Sequence, residues 1–284
     1  NADIRLAGAR VEEADANLRE AGATFLPQID LGSTGARSRV STTTATPLPS
    51  TVSPVRNNVR LALSTSFELD FWGRLRRALE AARAQALGTR YAKDVVTLSL
   101  AGLTSQAYFS LRSLDTQIAL TSETLAVREE YLDMVRRRAA GGIASDLDVN
   151  QAVVARVDAA TQIKELQRQR TLVQHQLGTL AGKLDLALPN SAILLALPVP
   201  PVPPPGLPSA LLERRPDVRQ AEQQLVSANA QIGVARAAML PAISLTGSYG
   251  AESRALSTLL ESGSRIWSLG FGLALPIFDW GRLA

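Results

Sequence analysis

Two hydrophobic periods alternate along the chain. Over residues 59–69, Val59, Leu61, Leu63, Thr65, Phe67 and Leu69 fall on one side of a period of two, and Arg60, Ala62, Ser64, Ser66 and Glu68 on the other. Residues 266–275 repeat this, with Trp267, Leu269, Phe271, Leu273 and Leu275 opposite Ile266, Ser268, Gly270, Gly272 and Ala274. Ile29 and Leu31 begin a third alternating segment, and Ile243, Leu245 and Tyr249 lie in a fourth. This period predicts strands of a sheet that is apolar on one face and polar or small on the other. Each segment approaches the roughly 9–11 residues that a tilted membrane-spanning strand needs. A soluble sandwich would show the same alternation, with the apolar face as its core.

Between the strands the pattern is helical and unusually long. Residues 3–25 are rich in Ala, Leu, Glu and Arg and predict a helix ending before Pro27. Residues 73–140 keep that character without a proline, about 100 Å of helix at ~1.5 Å per residue. The run stops at Gly141-Gly142, and Ser145 predicts an N-cap, with Asp146 and Asp148 in the first turn where the dipole favours acids. Residues 146–181 form a second helix, and a third begins near Pro208 or Pro216 and runs to about Leu240. Seven of the eleven residues 198–208 are proline, which makes that segment an extended connector. At the same rise the two returning pieces measure about 54 and 50 Å. The chain therefore goes out, turns at two glycines and comes back with one break.

An internal repeat ties these elements together. A shift of 214 places Asp3-Ile4-Arg5 on Asp217-Val218-Arg219, Phe25-Leu26-Pro27 on Met239-Leu240-Pro241, and Ile29 and Leu31 on Ile243 and Leu245. A shift of 208 places Trp72-Gly73-Arg74-Leu75 on Trp280-Gly281-Arg282-Leu283. The six-residue difference falls in the connection between strands, where the first copy carries the Ser/Thr/Pro-rich loop 41–56. Each unit reads helix, strand, loop, strand, helix. Its symmetry predicts a further helical hairpin after Ala284, as in a fragment of a longer protein.

Composition removes most chemistry. There is no cysteine and only one histidine, His175, so disulfides, thiolate sites and paired-histidine metal sites are excluded, and no cofactor is expected. The net charge of +4 is spread as arginines among acids without a basic block, which gives no footprint for nucleic acid. No apolar run reaches the roughly 18 residues of a spanning helix, which leaves a membrane β-barrel open. The sequence GTLAGK at 178–183 is one residue short of a phosphate-binding loop and sits in a helix; Gly270 and Gly272 supply the small face of a strand. Acid pairs such as Glu12-Glu13 and Glu129-Glu130 read as solvated helix faces. No catalytic signature survives.

The junction Glu68-Leu69-Asp70-Phe71-Trp72-Gly73-Arg74, its counterpart Leu275-Pro276-Ile277-Phe278-Asp279-Trp280-Gly281, the stretch Glu213-Arg214-Arg215-Pro216-Asp217-Val218 and the turn from Arg138 through Gly142, Ser145, Leu147, Asp148 and Val149 stand in order along the chain. Together they resemble the TolC-like outer-membrane factors of bacterial tripartite efflux pumps, nearest the OprM-like, often lipoprotein, branch. The resemblance covers essentially the whole chain, without the family's N-terminal leader and lipid-bearing Cys or its last helical hairpin. It implies a mixed α and β membrane protein of the Gram-negative outer membrane. In such a protein a long α-helical barrel, the periplasmic tunnel, continues a trimeric 12-stranded β-barrel with four strands per chain. The physics agrees, because the smallest membrane barrels have about eight strands and an open edge in lipid is costly. Implied partners are two further copies in a homotrimer, a periplasmic adaptor, an inner-membrane transporter and outer-membrane lipid. The implied activity is passive export of drugs or other toxic small molecules. Protein secretion or metal-ion efflux on the same fold, and a soluble coiled-coil adaptor with a sandwich domain, are the alternatives.

The expected map assigns 1–26 to the first-repeat helix, 27–71 to the first β-hairpin and 72–188 to the long helical hairpin. It continues with 189–215 as a Pro-rich equatorial connector, 216–240 as the second-repeat helix, 241–279 as the second β-hairpin and 280–284 as the start of a final helix. Arg138, Gly141, Gly142, Ser145, Leu147 and Asp148 are the expected adaptor-docking tip. Trp72 and Trp280 are the expected interfacial aromatics, and Leu61, Leu63, Phe67, Leu269, Phe271 and Leu273 the lipid-facing set. An Arg at Leu63 is expected to be costly, and one at Ala62, on the lumen side, better tolerated.

Overall fold

A computed structural model describes residues 1–41, 53–189, 202, 210–278 and 280. Its elements are α1 (Ala2–Ala23), β1 (Gln28–Arg39), β2 (Val55–Glu68), α2 (Arg74–Ala140), α3 (Asp146–Ala181), α4 (Ala210–Arg214), α5 (Pro216–Ala238), β3 (Ala242–Ser253) and β4 (Arg265–Ala274). The repeat is visible in these bounds: β1 moved by 214 residues falls on β3 end for end. No described helix is long and apolar enough to cross a membrane.

The strands form one open antiparallel sheet in the order β1-β2-β3-β4, so each copy supplies a hairpin and the two hairpins pair through β2 and β3. β1 and β2 extend further than their apolar alternation, because toward the loop both faces turn polar at Arg37, Arg39, Arg56, Asn57 and Asn58. α1 ends at Ala23, two residues before the expected end, as the Thr24 hydroxyl donates to Ala21 O at 2.7 Å and the chain turns toward Pro27. Likewise α5 stops at Ala238 and Met239-Leu240 form the turn before Pro241. Of the two expected starts for the third helix, Pro216 begins α5, and a five-residue α4 precedes it. Most of the Pro-rich connector and most of the loop 41–56 lie outside the described residues.

The described chain divides into two compact units. One comprises residues 10–90 and 218–284, the sheet with the adjoining parts of α1, α2 and α5. Its helices meet through small residues: Ala81, Ala84, Ala230 and Ala237 are buried, and the buried Ser227 hydroxyl donates to Ala81 O across the α5–α2 contact. Arg90 pairs with Asp15 at 2.9 Å, tying α2 to α1.

The other unit comprises residues 1–9 and 91–217 and is built on the hairpin of α2 and α3. Ala107, Leu111 and Leu177 form its core, with Val173, Leu180, Leu186 and Leu188 packed against them. Beside this core sits a charge cluster whose members are far apart in sequence. The Asp115 carboxylate accepts from Arg112 Nη1 at 3.0 Å and Arg170 Nε at 2.6 Å, with its side chain 1% exposed. The two guanidiniums also donate to Pro189 O and Leu188 O, and Gln174 donates to Leu186 O. The segment leaving α3 is thereby held on the hairpin by part-buried bonds, those of the two arginines charge-assisted. GTLAGK, which resembles a phosphate loop in composition only, is the C-terminal turn of α3, with Gly182 as the left-handed cap.

Candidate functional site

The sheet register places the expected lipid-facing residues together. Leu31 lies opposite Leu63, Leu63 opposite Tyr249 and Tyr249 opposite Trp267; Phe67 lies opposite Leu245 and Leu245 opposite Phe271. Partners in a ladder share a face, so Leu61, Leu63, Phe67, Leu269, Phe271 and Leu273 belong to one apolar surface with Ile29, Leu31, Leu245, Tyr249 and Trp267. Phe271 is 66% exposed and Trp267 78% exposed, while Leu61 and Phe67 are half-buried. A sandwich would cover such a face with a second layer; among the described residues no second sheet packs on it. The opposite face carries Asp30, Thr34, Asn58, Arg60, Ser64, Ser66, Ser244, Thr246, Ser248, Glu252 and Ser268. There Glu252 accepts from Asn58 at 3.1 Å and lies 3.7 Å from Arg60.

On the polar face β3 comes very close to β2. A Cβ on Gly250 would collide with Leu61 O and lie 2.7 Å from the Ala62 Cβ, so only glycine fits where β3 pairs with β2 at this rung. Ala62 is itself buried at 8% exposure, which corrects the expectation that an Arg there would extend into a lumen. Ser64 and Ser66, exposed on the same face, are the positions with room.

At the junction below the strands, Arg74 donates to both oxygens of Glu68, at 2.8 and 2.6 Å. The Asp70 carboxylate accepts from the backbone N–H groups of Leu75 and Arg76, both at 3.0 Å, and from Arg76 Nε at 3.1 Å, capping the first turn of α2. Burial alone would raise the Asp70 pKa, but these two backbone donors and Arg76 outweigh it and hold it below its ordinary value. Trp72 donates its indole N–H to Pro241 O at 2.8 Å, bridging the two repeats. Trp280 differs from its counterpart: it is 89% exposed and packs against Phe278 with ring centroids 5.0 Å apart.

The expected tip residues come together as a tight reversal. Ile143 N donates to Arg138 O and Gly142 N to Ala139 O, both at 2.9 Å, which closes α2 in a Schellman motif with Gly142 at φ 74°. Ser145 and Asp148 form a capping box: Ser145 N donates to Asp148 Oδ2 at 2.9 Å, and Asp148 N to Ser145 Oγ at 3.3 Å. The Ser145 backbone donor, then its hydroxyl, hold the Asp148 carboxyl below its usual pKa. Arg138, Gly141 and Leu147 are exposed around this turn, and so is Ile143, at 82%.

Sequence reasoning passed over two features. Ile143 was visible as the one large apolar residue in a turn of small and polar ones. The Tyr249–Trp267 cross-strand pair needed the register, since the two stand 18 residues apart and only the pairing of β3 with β4 makes them neighbours. Among the described residues no group of acidic or histidine side chains is arranged to hold a metal.

The sequence profile of the outer membrane efflux protein family matches residues 1–183 and 207–284. The chain belongs to that family. Within it, the chain is 35% identical over 296 residues to the solvent efflux pump outer membrane protein SrpC of Pseudomonas putida, covering 100% of this chain and 60% of SrpC. It is 36% identical over 284 residues to outer membrane protein OprJ of Pseudomonas aeruginosa, covering 99% of this chain and 59% of OprJ. The crystal structure of the Campylobacter jejuni CmeC outer membrane channel superposes with a TM-score of 0.86 at 28% identity, over 100% of this chain and 60% of that one. The chain thus spans about three fifths of the length of these relatives.

Proposed function

We propose that the chain forms part of the wall of an outer-membrane efflux duct in a Gram-negative bacterium. Three copies contribute four strands each to one twelve-stranded barrel, and the helices continue as a tunnel through the periplasm. The observation that carries this reading is the open four-stranded sheet with an exposed apolar face. Four strands cannot close, and unpaired edges of β1 and β4 in lipid would each leave backbone groups costing several kcal/mol. Sharing a barrel removes the edges and gives the apolar face lipid to contact. The open four-stranded sheet, its division into an apolar and a polar face and the efflux-pump names of the relatives support the trimer.

The duct performs no bond chemistry. Its polar, small-residue face offers hydroxyls and backbone rather than a binding constellation, which suits passage of chemically varied toxic small molecules. Energy and selection belong to an inner-membrane transporter, reached through a periplasmic adaptor. Arg138, Gly141, Gly142, Ser145, Leu147 and Asp148 are the adaptor's docking tip, where two caps fix a reversal that leaves Ile143 and Leu147 exposed. Bulky substitutions at Gly142 or Ser145 in the full-length protein test this. Efflux should be lost while trimer yield and heat stability remain near wild type. Efflux falling only in step with trimer yield would make the turn purely structural.

A further inference from the structure

Along the polar face of the sheet the acids are neutralised locally, with one exception. Glu68 is bridged by Arg74 through both oxygens, and Glu252 lies 3.7 Å from Arg60. Asp30 is exposed on the same face and forms no ion pair among the described residues; the Gln28 side-chain amide, a neutral donor, reaches it at 3.2 Å. Its rung continues as Ser64, Ser248 and Ser268, the hydroxyls of the last two 2.7 Å apart, so no strand of its own chain brings a cation beside it. In a shared barrel the β4 of a neighbouring copy would lie against β1. The polar face of β4 is Ile266, Ser268, Gly270, Gly272 and Ala274, so no register of that seam supplies a cation either. Residues 40–55, which join β1 to β2, contain no lysine or arginine.

Threefold symmetry sets three Asp30 carboxylates at one height in the duct. With strands about 4.8 Å apart and tilted about 40°, twelve of them enclose a backbone circle of roughly 12 Å radius, which brings the carboxylates to about 8 Å from the axis. That is within the screening length of about 10 Å at 0.1 M salt, so the three fields add across the lumen. Arg56, the other strand residue on this face without an ion pair, stands opposite Ser38 at the loop end. At ~3.3 Å per residue it lies about 26 Å along β2 from the Asp30 rung, more than two screening lengths away. We propose that Asp30 makes the barrel segment of the duct prefer cationic over anionic solutes, the three carboxylates acting as a specificity-determining ring and not as a binding site. A water-filled passage with low-dielectric walls focuses such a field along its axis. This rests on the barrel reading and adds a charge preference to it.

The test uses the full-length trimer in lipid vesicles and planar bilayers. Ser66→Cys puts a thiol two residues along β2 from the Asp30 rung, in a chain without cysteine of its own. Its rates of reaction with a cationic and an anionic methanethiosulfonate reagent form a ratio that reads the local potential. Asp30→Asn should lower that ratio about threefold to tenfold in 0.1 M salt, and Asp30→Glu should keep it. A thiol introduced at position 38, at the far end of the hairpin, should register no change. The potassium-to-chloride permeability ratio of the trimer should fall about threefold in Asp30→Asn. A rate ratio at position 66 unmoved by Asp30→Asn overturns the proposal, as does a lowered rate ratio with an unchanged permeability ratio. If Asp30→Asn does not trimerise, the Ser66→Cys protein decides alone. In 1 M salt the screening length is about 3 Å, and its rate ratio should fall toward that at position 38; a ratio indifferent to salt overturns the proposal. Inserted protein whose thiol at position 66 reacts with neither water-soluble reagent would instead refute the barrel reading itself.

Discussion

The sheet and the helical hairpin use apolar and charged residues in opposite ways. On the sheet large apolar side chains share one face and remain exposed, with Trp267, Leu269, Phe271 and Leu273 each at 61% or more, while the small and polar residues take the other face. In the hairpin the apolar side chains of Leu111 and Leu177 are buried, and beside them Arg112 and Asp115 are buried and paired with the partly buried Arg170. Each arrangement suits a different solvent. A strand face in lipid would need no protein partner for its apolar groups, whereas the hairpin buries Leu111 and Leu177 in a core of its own and leaves others, Leu98, Leu120 and Val127 among them, exposed. The hairpin's charge cluster helps hold a chain segment whose Leu186 and Leu188 also pack on the core. The sheet's arginines, Arg37, Arg39, Arg56 and Arg265 among them, gather toward the loop end of the strands.

The largest expected effect breaks the buried side of this contrast. Asp115→Ala leaves the buried Arg112 and the partly buried Arg170 without their shared carboxylate, at a cost of about 3–5 kcal/mol. Denaturant or heat unfolding of the full-length protein should show it, and protease should cut first between residues 183 and 189. Unchanged stability would mean that the cluster is dispensable.

The next effect breaks the exposed side. Leu63→Arg places a charge on the apolar face and should cost about 2–4 kcal/mol near the midplane. Ser64→Arg, on the polar face one residue away, should be far milder. Equal losses of folded barrel at the two positions would contradict the assignment of faces.

The smallest effects lie at the helix ends. Ser145→Ala should cost roughly 1 kcal/mol through loss of the cap. The Asp70 and Asp148 carboxyls both titrate below their ordinary value of 3.8 in the fold. Their contributions are therefore complete above that value and fade as the pH falls through the lowered pKa. Stability measured from pH 6 downward should lose less in Asp70→Asn than in the wild type. A parallel decline in both would show that Asp70 does not participate.

The outline of the fold was legible in the sequence because two periods, 2.0 and 3.6, are each sustained long enough to be unmistakable. The repeat fixed which strands correspond, and Gly141-Gly142 with Ser145 marked the reversal and its cap. Less legible were features that depend on distant partners. β1 carries only Ile29 and Leu31 as apolar markers, so its 12-residue length follows from pairing with β2. Arg112, Asp115 and Arg170 look like solvated helix charges until α2 and α3 are laid side by side. Ala62 looks free to grow until Gly250 is found against it. Trp72 and Trp280 match in sequence but not in surroundings, because only the first reaches Pro241.

The central claim is that the odd-numbered face of β2 meets lipid and the even-numbered face meets the water-filled duct. The chain lacks cysteine, so single thiols introduced at positions 61 to 68 of the full-length protein in vesicles can carry one spin label each. The account predicts that accessibility to oxygen, which concentrates in lipid, peaks at 61, 63 and 67. Accessibility to a water-soluble nickel chelate should peak at 64 and 66. Accessibility without a period of two, or with the two phases exchanged, would contradict it.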